Sequence, residues 1–495
     1  MPSRDEMLRS ELTGETERDL QTLRALLHIP ENRDAVERRH RCADFGFTLF
    51  YMEGMAGDAK ISEFILHASK SPAASGIADP VGWLKEESLE VAQCERESRV
   101  KELLTGILGG MTCVLADGCA EALLLDTRGF EHRRVDRPSN EAVVLGAQEG
   151  FVESLRDNLT LLHRYVQSGE LITERLTVGT GVPTSVALVY LNGVADVRAV
   201  DEARRRLQAI TAASVPGIGG IQQLIEDSPR AIFPQMLQTE RPDRAASCLI
   251  DGQFVILADN SPYALAAPIT LFHLLHASDD MFMRWQYATL LRLIRFAGVL
   301  LALLLPGLYV ALTLHHTHLV PLTLLLSIAE TRADVPFTIL MEVLIMEFSF
   351  YLINEAGTRI PSQIGSTVSI VGALVLGQAA VSASIISPIL VILVAITGLG
   401  NYAAPNYGFG LSIVLYRVLF VLAGAALGLY GVLLMLVALS VRLCGIHSFG
   451  VPYLAPVAPK RPHGPDILLR LSLRRQQHPM YYAQRGNWMK GKRSK

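Results

Sequence analysis

Cysteine is scarce in this sequence: six in 495 residues, with no CxxC spacing and no metal-finger pattern. A disulfide scaffold and a zinc module are therefore not expected. Cys42, Cys94, Cys113, Cys119, Cys248 and Cys444 suit reduced, mostly buried positions of a cytoplasmic region. An apolar leader is also missing. Met1 to Arg41 interleaves acids and bases, so insertion is expected to begin at an internal span, with the long amino-terminal part left in the cytoplasm. Charge is nearly absent from Ile360 to Val441, where Arg417 stands alone. Acids are absent from the end of the chain: after Val441 there are about ten Lys and Arg against one acid, Asp466. No Ser-His-Asp or Cys-His arrangement can be justified from spacing. The glycine-rich run Pro216 to Gly220 lacks the Lys-Ser/Thr of a phosphate loop and reads as a loop or helix start. Neither an enzymatic activity nor a cofactor is expected.

What is present divides the chain in two. The mean hydropathy of +0.30 averages a soluble-looking first part, to about residue 295, and a largely apolar remainder. Four segments are about as long as a bilayer crossing requires: 296–314, 364–383, 385–402 and 411–441. Gly365, Ser369, Ala373 and Gly377 recur every four positions, and Gly424 and Gly428 repeat that spacing in the last span. Such stripes let helices approach closely, either within one bundle or against copies and partners. Arg284, Arg292 and Arg295 before the first span, and the basic tail after the last, place both termini in the cytoplasm with an even number of crossings.

The segment 335–353 is apolar but carries Glu342 and Glu347, about 140° apart on a helix. Asp334 and Pro336 suit its start and Gly357 its end. Acids in such surroundings line or gate an ion path, or the segment is amphipathic or re-entrant with its acids among headgroups. Glu347→Gln is expected to leave the chain inserted while slowing cation passage, with Glu342 more tolerant because it reaches the headgroups. Gln378, Ser382 and Ser384, together with Ser387 near Pro388, are either pore-lining or bonded to their own helix. His315, His316 and His318 read as an interfacial polar cluster rather than a metal site. The basic tail, 446–495, suits anionic lipid headgroups, and nucleic acid is not an expected partner.

The soluble part says one thing twice. FTLFYMEGMAG (47–57) matches VALVYLNGVAD (186–196), and LGGMTCVLADG (108–118) matches IDGQFVILADN (250–260), at an offset near 140 residues. An internal duplication of an α/β unit follows. The expected architecture is an α+β cytoplasmic region of two duplicated α/β subdomains, then an α-helical multi-pass membrane domain. Its parts are a helical lead-in (1–41), subdomain 1 (42–140), a helical connector (141–179) containing a long helical pattern from Glu141 to Ser168, subdomain 2 (180–283), the membrane domain (284–445) and the tail.

The block VPFTILMEVLIMEFSFYLINEAGTRIPSQIGSTVSIVGALVLG (335–377), its continuation QAAVSASIISPILVILVA and the closing SFGVPYLAPVAP (448–459) resemble the A subunit of the GerA family of spore germination receptors. LFYMEGM (49–55) and ERPDRAASCLIDGQFVILADNSP (240–262) extend the resemblance over nearly the whole chain. It implies a spore inner-membrane protein acting with a transporter-like B subunit and a lipoprotein C subunit. It also implies a homo-oligomeric, channel-forming role in nutrient-triggered germination. A sporulation-stage paralogue of the family, or a membrane-anchored scaffold for germination proteins, is the alternative reading.

Overall fold

The structure, a computed structural model, describes residues 3–42, 45–67, 79–85, 94–129, 138, 141, 143, 145–359, 377–460 and 467–470. Alternating apolar residues with turn signals build two five-stranded antiparallel sheets. The first contains β1 (Ala35–Cys42), β2 (Phe45–Met52), β3 (Cys94–Glu97), β4 (Thr112–Ala116) and β5 (Ala122–Leu125), in the order β1-β2-β4-β5-β3. The second contains β6 (Leu171–Val178), β7 (Thr184–Leu191), β8 (Leu237–Thr239), β9 (Phe254–Ala258) and β10 (Ala264–Ala267), in the order β6-β7-β9-β10-β8.

The matched sequence blocks occupy matched places. Gly110 and Gly252 both follow a nine-residue helix, have φ near +90° (91° and 94°), and lead into β4 and β9. Each turn is closed in the same way, with Met111 N–H on the Gly106 carbonyl and Gln253 N–H on the Cys248 carbonyl, both at 3.0 Å. After each strand comes a second left-handed residue, Gly118 (φ 81°) or Asn260 (φ 60°), the residue types that tolerate that region.

The inner strands of both sheets are buried on both faces. In the first, Phe47, Leu49 and Tyr51 point one way, and Phe50 and Met52 point the other, onto Leu20, Leu23, Leu26 and Leu27 of the Thr16–Leu27 helix. In the second, Val186 and Leu188 meet the helices Val197–Gln208 and Gly217–Ile225. Ala187, Val189 and Leu191 face a core shared with Leu155–Tyr165, Pro242–Ile250 and the apolar helices beyond residue 285.

Several boundaries differ from the sequence reading. The charged run AVERRHRC in the lead-in is strand β1, paired with β2 along its whole length. Strand pairing overrides the polar composition, because an edge strand can show charge to water. Within 141–179 the described helix is only Leu155–Tyr165, and β6 belongs to the second sheet.

The apolar region is a bundle. Trp285–His315 and Tyr407–Cys444 are the two described helices long and apolar enough to cross a membrane. Ile339–Arg359 and the shorter Pro388–Tyr402 pack with them. The expected span 411–441 is not one rod. Gly428 has φ 61° and ψ −143°, and the chain reverses there. Ser412 donates to the Ile232 carbonyl (2.7 Å) and Arg442 to the Arg230 carbonyl (3.4 Å), so both ends of the segment return to one loop of the soluble part. The arms 407–427 and 429–444 are roughly 31 and 24 Å long at 1.5 Å per residue. Most of the expected span 364–383, with Gly365, Ser369 and Ala373, lies outside the described residues.

Candidate functional site

Glu347 and Tyr351 are one helical turn apart on Ile339–Arg359 and so share a face. Arg417, on the arm 407–427, enters between them. Its Nη1 donates to both Glu347 oxygens (2.9 and 3.2 Å) and its Nη2 to the Tyr351 hydroxyl (3.0 Å). Arg417 is 1% exposed and Glu347 5%, so the pair is sealed from solvent by its neighbours. Mutual neutralisation allows both charges inside an apolar bundle. Removing one partner leaves the other buried and unpaired, at a cost of about 3–5 kcal/mol. The expectation that Glu347→Gln is structurally silent is thereby corrected: it would strand Arg417.

Glu342 faces another direction, as a five-residue separation requires. It is fully buried rather than reaching a headgroup layer, which corrects the expected tolerance at this position. The Ser387 backbone N–H donates to its Oε1 (2.6 Å), and Arg332 Nη2 lies 3.3 Å from its Oε2. Ser387 is buried at the N-cap of Pro388–Tyr402, where its carbonyl accepts from the Leu390 amide (3.1 Å). The two acids therefore belong to two separate polar sites, each with its own arginine.

The other expected residues are distributed differently. Gln378 and Ser382 are exposed on the short helical stretch before Ser384, which is itself in a left-handed turn (φ 53°). None of the three joins Glu342 or Glu347 in a described hydrogen bond. Gly377 has open space where a Cβ would stand, whereas a Cβ on Gly424 would come within 2.5 Å of the Gly307 carbonyl oxygen. Gly424 thus brings two helices of one chain together, and Gly428 makes the reversal. His315 Nε2 donates to the Ala425 carbonyl (2.8 Å) beside that turn, so this part of the histidine cluster ties down the hairpin.

Sequence reasoning noted Arg417 without finding its partner. The available signal was arithmetic: one cation in an apolar stretch and two acids in another call for a pairing. Ser387 was among the polar positions noted beside Pro388, but without its partner Glu342; Arg332 and Tyr309 carried no comparable signal, since each is ordinary in its local sequence.

A second polar centre joins the soluble part to the bundle. Asp280, 1% exposed, accepts from Arg292 Nε (3.0 Å) and from both Nη atoms of Arg295 (2.9 and 2.8 Å). The arginines read as membrane-flanking charge thus also fix the start of the first long helix. His273 and His276 lie beside them, and burial together with the nearby arginines pushes their imidazoles down to about 4 and about 3. The ERPDR motif reaches this point as Arg244 donates to the His276 carbonyl (2.9 Å). The tail does too: His276 Nε2 donates to the Ile467 carbonyl (3.0 Å), and Arg470 caps the Met281 and Met283 carbonyls. SFGVPY is likewise structural, with Ser448 Oγ bridging the Ile269 amide and the Gln235 carbonyl.

The family model for the Bacillus/Clostridium GerA spore germination protein matches residues 21–481. Spore germination protein KA of Bacillus subtilis (strain 168) is 36% identical over 424 residues, covering 86% of this chain and 78% of its own. Spore germination protein A1 of the same organism is 34% identical over 429 residues, covering 86% and 88%. Spore germination protein GerLA of Bacillus cereus is 34% identical over 419 residues, covering 85% and 84%. The crystal structure of the N-terminal domain of the A subunit of the Bacillus megaterium spore germinant receptor GerK3 aligns over 52% of this chain and 97% of its own, at 23% identity and a TM-score of 0.39, a level at which no element is carried across.

Proposed function

The chain belongs to the GerA family of spore germination proteins, and we propose that it is the A subunit of a nutrient-responsive germination receptor whose bundle forms part of an ion path. In this reading the protein sits in the spore inner membrane as a homo-oligomer, together with B and C subunits, and its basic tail meets anionic lipid. Both termini are cytoplasmic. The return of residue 442 to the loop at Arg230 supports that placement and an even number of crossings. The equivalent turns and strand orders of the two sheets support their origin by duplication.

The observation that carries the ion-path reading is the pair of buried acid–arginine sites within the bundle. A pure anchor gains nothing from burying charges that well-packed apolar residues could replace at equal or lower cost. A scaffold whose spans only anchor remains the second reading, favoured by the neutralisation of both acids in this conformation.

Spores lacking other receptors of the family provide the test. Deleting this chain is expected to abolish nutrient-triggered germination; an unchanged response ends the receptor reading. The double variant Glu347→Gln/Arg417→Gln removes both charges together and is expected to persist at normal abundance with altered cation release. Normal release at normal abundance leaves the anchor.

A further inference from the structure

The Glu342 site contains more oxygen than its pairing uses. Tyr309, 9% exposed on the Trp285–His315 helix, places its hydroxyl beside Ser387 and in the field of Glu342 and Arg332. Among the described residues, Glu342 Oε2, Ser387 Oγ and Tyr309 Oη are all buried without an aligned hydrogen-bond partner, and so is Arg332 Nε. Glu342 and Ser387 are both 0% exposed. Buried polar atoms are ordinarily satisfied, so two neighbouring hydroxyls beside a carboxylate oxygen that has only an unaligned guanidinium for company call for a ligand.

Arg332 meets that need poorly. Its Nη2 stands near Glu342 but is aligned with the Phe337 carbonyl (3.2 Å), and its Nε finds no acceptor. It also sits on a weakly anchored part of the described bundle. It is the C-cap of Leu322–Thr331, a helix in which Ile328 is the one buried residue. Withdrawing that segment would dismantle no core.

We propose that Glu342, Ser387 and Tyr309 form a binding site for a monovalent alkali cation, and that Arg332 is a tethered cation occupying it. One carboxylate and two hydroxyls balance a single positive charge, whereas calcium or magnesium sites gather more carboxylates or keep several waters. The guanidinium satisfies the charge but not the hydroxyls; a compact ion satisfies both. The inference deepens the ion-path reading by naming where an ion would rest, and it is measured without any flux.

The experiment uses the full chain in lipid nanodiscs and reads its thermal unfolding midpoint at equal ionic strength in Na+, K+ or N-methyl-D-glucamine, a cation too large for the site. The unsubstituted chain is expected to melt alike in all three. Arg332→Gln should melt lower in N-methyl-D-glucamine and show a saturable rise of a few degrees in Na+ or K+. Adding Glu342→Gln should abolish that rise. If Arg332→Gln melts at one temperature in all three salts, or cannot be recovered in any, no free cation substitutes for the guanidinium and the proposal is overturned. That failure leaves the reading of Glu347 and Arg417 standing, since cation release in the double variant is a separate measurement.

Discussion

The two sheets share one strand order but are joined to the rest of the molecule by opposite chemistry. The first meets the second through polar contacts. Asp34, 1% exposed, accepts from His163 Nε2 (2.9 Å) and Arg175 Nη2 (3.0 Å), and Arg156 reaches Asp58 (2.5 Å). The second meets the bundle through a continuous apolar core. Phe233 stacks on Tyr416 with ring centroids 5.1 Å apart, and the same cluster holds Leu249, Leu275, Val299 and Phe420. One topology thus serves two tasks: a sheet that can be adjusted by charge, and a sheet that moves only with the membrane helices. The exception is the Asp280 junction, where charge returns at the entrance to the bundle.

The comparison breaks most directly at Phe233. Phe233→Ala removes a buried ring from the apolar joint and should cost about 3–5 kcal/mol. Two separated unfolding transitions, soluble part and bundle, are expected by calorimetry in place of a shared one. A single transition lowered as a whole would mean that the joint is not where coupling resides.

Asp34→Asn tests the polar joint. Burial raises the Asp34 carboxyl, but the His163 hydrogen bond and the charges of His163 and Arg175 outweigh it and hold the group below its usual range. Loss of the charge should cost about 2 kcal/mol, loosening the sheets from each other while leaving the bundle intact. Protease cleavage between the sheets, around Ser168, should rise; cleavage near residue 284 should not.

Acidification sharpens the contrast at the junction. His273 and His276 stay neutral in the folded protein down to about 4 and about 3, whereas the unfolded imidazole has its ordinary value of 6.5. The unfolded state therefore binds the extra protons. The stability is fully present above pH 6.5 and is lost progressively as pH falls toward those folded values. Between pH 7 and pH 5 the loss should be about 2 kcal/mol in all, allowing for partial solvent screening. Release of the tail, followed by labelling a cysteine placed at Ile467, is the readout; unchanged labelling across that range would place the histidines outside the latch.

The smallest effect belongs to the exposed pair Arg156–Asp58, with side chains 49% and 58% exposed. Asp58→Asn should change stability by less than about 1 kcal/mol and vanish in high salt. A larger change, measured by denaturant unfolding, would make the sheet–sheet joint more cooperative than its exposure suggests.

Much of the soluble fold was legible because turns leave a chemical signature. The glycines before β4 and β9 and the Asp-Gly and Asp-Asn after them located four strands and their repeat. Strands β1 and β6 were not legible, since VERRHRC and LITERLTV carry charge that helices also carry, and only pairing with β2 and β7 decides between the two. In the bundle, hydropathy located the apolar segments but could not see Gly428, whose left-handed φ is a tertiary fact. Length was the missed clue. At 1.5 Å per residue, the 38 residues of Tyr407–Cys444 make about 57 Å, nearly twice the hydrocarbon thickness. Glu347 and Arg417 were each visible, but 70 positions of sequence separate them, and no periodicity reports such a distance.

The reversal at Gly428 has a consequence for the order in which the molecule is made. Both sheets are complete in sequence before the first long helix begins, yet the surfaces around Phe233, Gln235 and Ile269 are covered by residues 409 to 453, close to the end of synthesis. During translation the second sheet must wait with that apolar face uncovered until the last helical arm has been threaded back. Ser448 and Tyr453 then seat beside it, while Phe449 packs on Phe254 in the core of the opposite face. A chain cut short before residue 409 leaves that face without Phe409, Tyr416 and Phe420 to cover it.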